Sequence, residues 1–170
     1  MAAQSSFHDL DYSFANEYAL ALIKKYTPAR TLMGSGKFAA YKSYGEFIWR
    51  IGYESKELKG NVVGPFTRAT QKEIDEQLKK DLETFSYKVA RLIFWPLNDK
   101  QKGALLSYAH SVGFFQFKES ELLEAINNGK NKKTIIKLWS PYFNKKDLDK
   151  GSLLIDRRRS ELNCFVAHDK

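Results

Sequence analysis

The side chains whose type and spacing could do chemistry lie far apart in this sequence. Glu46 follows a Tyr44-Gly45 pair that sits between KFAAYK and EFIWRIGY like the turn of a hairpin, and Glu54 follows Gly52-Tyr53. Carboxylates are the groups that acid–base chemistry needs. Hairpin tips are also commonly charged, so both read first as surface residues paired with Lys42, Lys56 or Arg50. Near the other end, Arg157, Arg158 and Arg159 precede Glu161. Three successive residues cannot all face one way on a helix, so the arginine run reads as a solvated, salt-bridged face. His110 stands between apolar neighbours in ALLSYAHSVG and reads as a packed, hydrogen-bonded histidine. No second histidine or cysteine lies at ligand spacing, so neither a metal site nor a cofactor is expected. Cys164 is the sole cysteine, which rules out an internal disulfide, and beside Phe165 and Val166 it reads as packing.

These groups must be positioned by one modest core. At 170 residues, 43% hydrophobic and 14% aromatic, the chain can bury one substantial core but not comfortably two. A single domain over 14–170 is expected, with residues 1–13 a loose leading segment. The formal charge of +8 favours polyanionic partners. No recognised nucleic-acid motif accompanies it, so nucleic acid ranks last among them. The first twenty residues lack a basic leader, an apolar run and a cleavage pattern, so no signal peptide is expected. No apolar stretch approaches the roughly 20 residues a membrane span requires.

Along the chain, a first helix is predicted from Phe14 to about Tyr26, with Asn16 as a cap and Thr27-Pro28 as its stop. Gly34, Gly36, Gly45 and Gly52 then punctuate an aromatic and β-branched stretch, which predicts a small antiparallel sheet over roughly 37–64. From Thr70 the period becomes helical. Thr70 and Glu73 have capping-box spacing, and Ile74, Leu78, Leu82, Phe85, Val89 and Leu92 recur every three or four residues until Pro96. Such a helix would run about 35 Å and could join two lobes. Asn98 can cap the next helix, which Gly113 closes. Shorter helices are predicted at about 119–128 and 132–139, the latter stopped by Ser140-Pro141, with KNKK at 130–133 a solvated helix start. A last helix from about Ser152 to Ala167 would turn Leu154, Leu162 and Phe165 inward and Arg157, Arg159 and Glu161 outward. The fold class is therefore α+β: a sheet lobe over about 28–68 and a helical lobe over about 69–167.

This plan and several stretches of sequence resemble the phage-type lysozymes of glycoside hydrolase family 24. ALIKKYTP, AYKSYGE and IWRIGYES stand where the family has a first helix ending in Glu-Gly, then Ala-Tyr-x-Asp, then Trp-Thr-Ile-Gly-Tyr-Gly-His. Pro96-Leu97-Asn98 with Gln101, ALLSYAHSVG, and Arg157-Arg158 with Glu161 match later family motifs, so the resemblance spans about 17–166. IGYES, ATQKEIDEQLKKDL and DRRRSEL are also similar to tail-associated lysozymes of large contractile-tailed phages.

Carried over position by position, the resemblance puts the family's acid on Thr27, its aspartate on Ser43 and its water-positioning threonine on Arg50. Glycosidic hydrolysis by this route needs a protonated carboxyl at the leaving oxygen and a second carboxylate. A hydroxyl supplies neither. Glu46 and Glu54 are then the carboxylates placed to substitute. The resemblance further implies that one arginine of the 157–158 pair points into the cleft, where it could bind an anion, and that Ser111 replaces a substrate-contacting asparagine. Tyr44, Trp49 and Tyr53 could stack on sugars, although aromatic residues of a small sheet are usually its core. The expected function is a catalytically silent lysozyme-like phage protein of the tail or baseplate, binding virion proteins or peptidoglycan. An active muramidase with a rearranged acid pair is the alternative. The expected place is the virion, or the host cytoplasm before assembly.

Overall fold

Asn16 opens the first helix: its Oδ1 accepts the N–H groups of Tyr18 at 3.1 Å and Ala19 at 3.2 Å. Helix α1 therefore runs Glu17–Tyr26, three residues shorter than predicted, with Phe14 buried in the turn before it. The cap lies outside the helix it satisfies. The computed structural model describes residues 13–29, 33–42, 45–139 and 152–167. The predicted leading segment, the centre of the 28–38 stretch, Ser43, Tyr44 and the Ser140-Pro141 stop lie outside the described residues, Ser13 excepted from the first.

Instead of one continuous sheet, three short antiparallel pairs form among the described residues. β1 (Phe38–Ala39) pairs β6 (Arg68–Ala69), β2 (Tyr41–Lys42) pairs β3 (Trp49–Arg50), and β4 (Glu57–Leu58) pairs β5 (Asn61–Val62). Two of the pairs, β2–β3 and β4–β5, are local hairpins, β1 meets β6 from the far end of the lobe, and this last strand lies beyond the predicted boundary.

Helix α2, Gln71–Ala90, carries the predicted capping box between Thr70 and Glu73. Its buried stripe of Ile74, Leu78, Leu82 and Val89 packs between β4 and β6 on one side and α3 on the other. It ends at Arg91 rather than Pro96, so Leu92 lies in the turn that follows. Asn98 caps α3, Asp99–Val112, and Gly113 closes it. The sequence reading missed α4, Phe114–Lys118, and found α5, Glu121–Asn127, and α6, Lys132–Trp139. α7 runs Ser152–Val166.

α3 is the hub, packing against both α1 and α7. Gly103 permits the α1 approach, because a Cβ there would stand 2.5 Å from Asn16 Oδ1 and 2.8 Å from the Ala19 nitrogen. The phenol of Tyr26 and the hydroxyl of Ser160 meet at 2.5 Å and tie α1 to α7.

Candidate functional site

The end of α1, the middle of α3 and one face of α7 converge on a buried charge cluster. Thr27 caps α1, its backbone N–H bonded to Ile23 O at 2.7 Å, so its side chain is held at the helix end. Arg157 Nη1 donates to Thr27 Oγ1 at 3.1 Å. The same guanidinium donates through Nε to Glu161 Oε1 at 2.9 Å and through Nη2 to the Ser107 carbonyl at 2.8 Å and Ser107 Oγ at 3.2 Å. Arg158 pairs with Glu161 Oε2 through Nη1 and donates to Ser111 Oγ at 2.7 Å through Nη2, its guanidinium over the Tyr108 ring. Ser107 Oγ in turn donates to Glu161 Oε1 at 2.6 Å.

This overturns the outward placement of Arg157 and Glu161 and the solvated reading of the arginine run. Arg157 is 5% exposed, Arg158 1% and Glu161 0%, whereas Leu154 is half exposed. Burying ions is costly unless they are paired and hydrogen-bonded, and here α1 and α3 supply hydroxyl and carbonyl partners that the sequence of α7 alone cannot show. Burial lowers the Arg157 pKa, opposed by the attraction of Glu161. Arg159 alone of the three follows the expectation, exposed and near Asp156.

A tight turn presents Glu54 toward this cluster. Ile51 and Ser55 close the turn with paired backbone bonds of 2.9 and 3.1 Å, Gly52 has φ +57° and Glu54 φ +72°. Left-handed backbone at a non-glycine residue persists only where the surroundings hold it. Three contacts do so: Arg50 Nη1 to Glu54 O at 3.2 Å, Ser55 Oγ to Asp81 Oδ2 at 2.6 Å, and Gly52 packed against Ile74. The half-buried Glu54 carboxylate attracts both Arg157 and Arg50 electrostatically.

Glu46 is engaged otherwise. Arg50 grips it bidentately, Nε to Oε2 at 2.9 Å and Nη2 to Oε1 at 3.1 Å. That hydrogen bond, first among its causes, lowers the Glu46 pKa and raises that of Arg50. Trp49 is half-buried with the Lys42 ammonium over its ring, and Tyr53 is buried, its hydroxyl accepting from Gln71 at 3.2 Å. Ser43 and Tyr44, the remaining predicted site residues, lie outside the described residues.

His110 packs edge-on to Phe85 with centroids 5.9 Å apart. Burial first, and then the Arg157 charge, press its pKa down to about 4. Cys164 is half-buried against the Lys100 carbonyl, and burial raises its thiol pKa. Among the described residues no cluster of three or more His, Cys, Asp or Glu could hold a metal ion, and no helix is long and apolar enough to cross a membrane. A cavity of about 260 Å³ lined by Trp95, Gly129, Lys130 and Phe165 shares no lining residue with the charge cluster.

Sequence reasoning missed Ser107 and the burial of Glu161. A signal existed: Ile155, Arg158, Leu162 and Phe165 recur at helical spacing on the inward face, and Glu161 stands three and four residues from its two partners.

The fold is that of the phage lysozymes. Residues 34–161 match the family model described as phage lysozyme, and the chain belongs to that family. It is 30% identical over 127 residues to an endolysin of Bacillus phage PZA, covering 74% of this chain and 47% of that protein. The chain thus spans about half the length of the curated relative it matches. Solved structures share the fold. The muramidase domain of SpmX from Asticaccaulis excentricus matches with a TM-score of 0.70 and 23% identity, over 95% of this chain and 100% of that one. An endolysin from Escherichia coli O157:H7 phage FAHEc1 matches at 0.71 and 22%, over 92% and 96%. A P22 lysozyme mutant matches at 0.70 and 25%, over 89% and 97%.

Proposed function

We propose that this chain is a lysozyme-fold phage protein that binds peptidoglycan without cutting it, as a component of the tail or baseplate. One observation carries the reading: the side chain that meets Arg157 at the end of α1 is the hydroxyl of Thr27, where the family resemblance places an acid. A threonine hydroxyl neither delivers a proton at neutral pH nor carries charge to stabilise an oxocarbenium-like centre. Arg50 at the family's threonine position adds positive charge where positive charge would develop. Glu46 does not repair the site, because its ion pair with Arg50 keeps it ionised and therefore unable to act as the acid.

Glu54 favours a second reading, an active muramidase with a rearranged acid. Its left-handed backbone is locked in place and its carboxylate makes no hydrogen bond among the described residues. Clearing of a purified peptidoglycan suspension separates the two. The binding reading expects no clearing together with retention of the chain on insoluble wall and its detection in purified particles. Clearing that vanishes in Glu54→Gln would establish the second reading instead.

A further inference from the structure

Phe94 and Trp95 stand in the turn between α2 and α3 with 82% and 48% of their surfaces exposed. The turn is built to hold them there. Asn127, at the end of α5, accepts the Phe94 N–H on Oδ1 at 2.8 Å and donates from Nδ2 to the Leu92 carbonyl at 2.8 Å. One side chain thus clamps the backbone on both sides of Ile93. The Trp95 indole lies against Gly129, where a Cβ would stand 2.5 Å from the ring, and this glycine turns at φ +60°. Two adjacent aromatic side chains are therefore presented to water by a fixed backbone, which marks a surface meant for contact.

The charge around the pair has one sign. Residues 88–98, which lead through the turn, hold Lys88 and Arg91, and residues 125–137 hold Lys130, Lys132, Lys133 and Lys137, with no carboxylate in either segment. Asp99 and Glu124 are the acids that bound them. Lys130 and Lys132 line the same hollow as Trp95, and no acid lines it with them. Arg91 rests over the Tyr87 ring and Lys132 donates to the Val166 carbonyl at 3.3 Å, so neither charge is neutralised. Among the described residues Lys88, Arg91, Lys130 and Lys132 pair with no carboxylate.

A soluble polyanion would engage the cations and leave Phe94 in water. An uncharged apolar partner would cover Phe94 and strand the cations. A bilayer of anionic phospholipid uses both, because aromatic rings settle at the headgroup level while lysine and arginine meet the lipid phosphates. We propose that the Phe94-Trp95 turn, with Lys88, Arg91, Lys130 and Lys132 around it, is a docking face for an anionic phospholipid bilayer. The chain lies on such a surface rather than crossing it. The face shares no residue with Thr27, Arg157 or Glu161, so it stands independently of the glycan-binding reading.

Cosedimentation of the full chain with vesicles tests this, using mixed phosphatidylglycerol–phosphatidylcholine vesicles beside pure phosphatidylcholine. Binding to the mixed vesicles is expected to be about tenfold tighter or more, and to weaken as salt is added. Phe94→Ser and Lys130→Glu should each weaken it by about tenfold. Both residues are exposed, so the circular dichroism of the variants should match that of the unaltered chain. Brominated acyl chains should quench tryptophan fluorescence, and Trp95→Phe should remove most of the quenching, since Trp139 is buried and Trp49 half-buried elsewhere. Absence of binding to the mixed vesicles, or binding that Phe94→Ser leaves unchanged, overturns the proposal. Soluble polyglutamate supplies negative charge without a bilayer. If it binds as tightly as the mixed vesicles and displaces them, the face serves an acidic polypeptide and the membrane proposal fails.

Discussion

Arg157 on α7 donates to Thr27 at the cap of α1 and to Glu161 one turn along its own helix, at 3.1 and 2.9 Å. One guanidinium thereby joins the candidate site to a carboxylate that solvent does not reach. Glu161 is the anion that both Arg157 and Arg158 contact. Its removal leaves two buried guanidiniums facing each other.

Glu161→Gln should accordingly destabilise the protein by about 3–5 kcal/mol, the usual cost of orphaning a buried charge. Urea unfolding followed by circular dichroism measures it. A loss below about 1 kcal/mol would mean that solvent reaches the cluster and that the site is not rigidly held.

The helices other than α4 were legible in the sequence because their signals are local, whereas α4 has no side-chain cap. Asn16, Thr70, Asn98 and Ser120 each sit where a cap is needed, and the Ile74-to-Val89 stripe shows one buried face. The three strand pairs were legible only as a region: β2–β3 and β4–β5 are too short to show alternation, and β1 meets a β6 some thirty residues on, which no local signal marks. The site was legible in its parts, Thr27, Arg50, Glu54 and Arg157, through likeness to a family. Its arrangement was not. Whether an arginine on α7 is solvated or buried depends on Ser107 and Ser111, hydroxyls on α3 about fifty residues earlier that mark no site until the helices pack.

Gly52 is one of the points where the sheet lobe touches α2, and a Cβ there would stand 2.7 Å from Ile74 while the backbone stays at φ +57°. Gly52→Ala should cost about 2–4 kcal/mol, combining left-handed strain with overpacking. Gly60 offers the control. It has φ +83° with nothing near its missing Cβ, so Gly60→Ala should cost only about 1 kcal/mol. Thermal melts of the two variants compare them directly; equal losses would show that the Ile74 contact yields.

Folding lowers the His110 pKa from 6.5 to about 4, by burial and then by the Arg157 charge, so the unfolded chain binds more protons there between those values. Its contribution is complete above pH 6.5 and disappears as the pH falls toward 4. The contribution reaches at most about 3 kcal/mol. In His110→Phe, which keeps a ring against Phe85, the stability–pH curve should flatten in that window. Identical slopes from unfolding titrations of the two proteins would show that His110 binds its proton equally well in the folded and unfolded chain.

Thr27→Glu tests the site from the opposite direction. A glutamate at the cap of α1 places a carboxylate beside the Arg157 donor that now holds a hydroxyl. The new pair should be a charge-assisted hydrogen bond stronger than the present one to the hydroxyl. The same change restores one of the two carboxylates that hydrolysis needs, and Ser43→Asp would add the second at the position the family resemblance marks. With Arg50→Thr relieving the positive charge, the triple variant should clear a peptidoglycan suspension that the unmodified chain leaves turbid. Thr27→Glu alone should clear it weakly or not at all, because proton donation without a partner carboxylate supports only part of the rate. If the triple variant folds, as judged by its circular dichroism, and still clears nothing, then more than these three side chains separates this chain from a wall-cutting lysozyme.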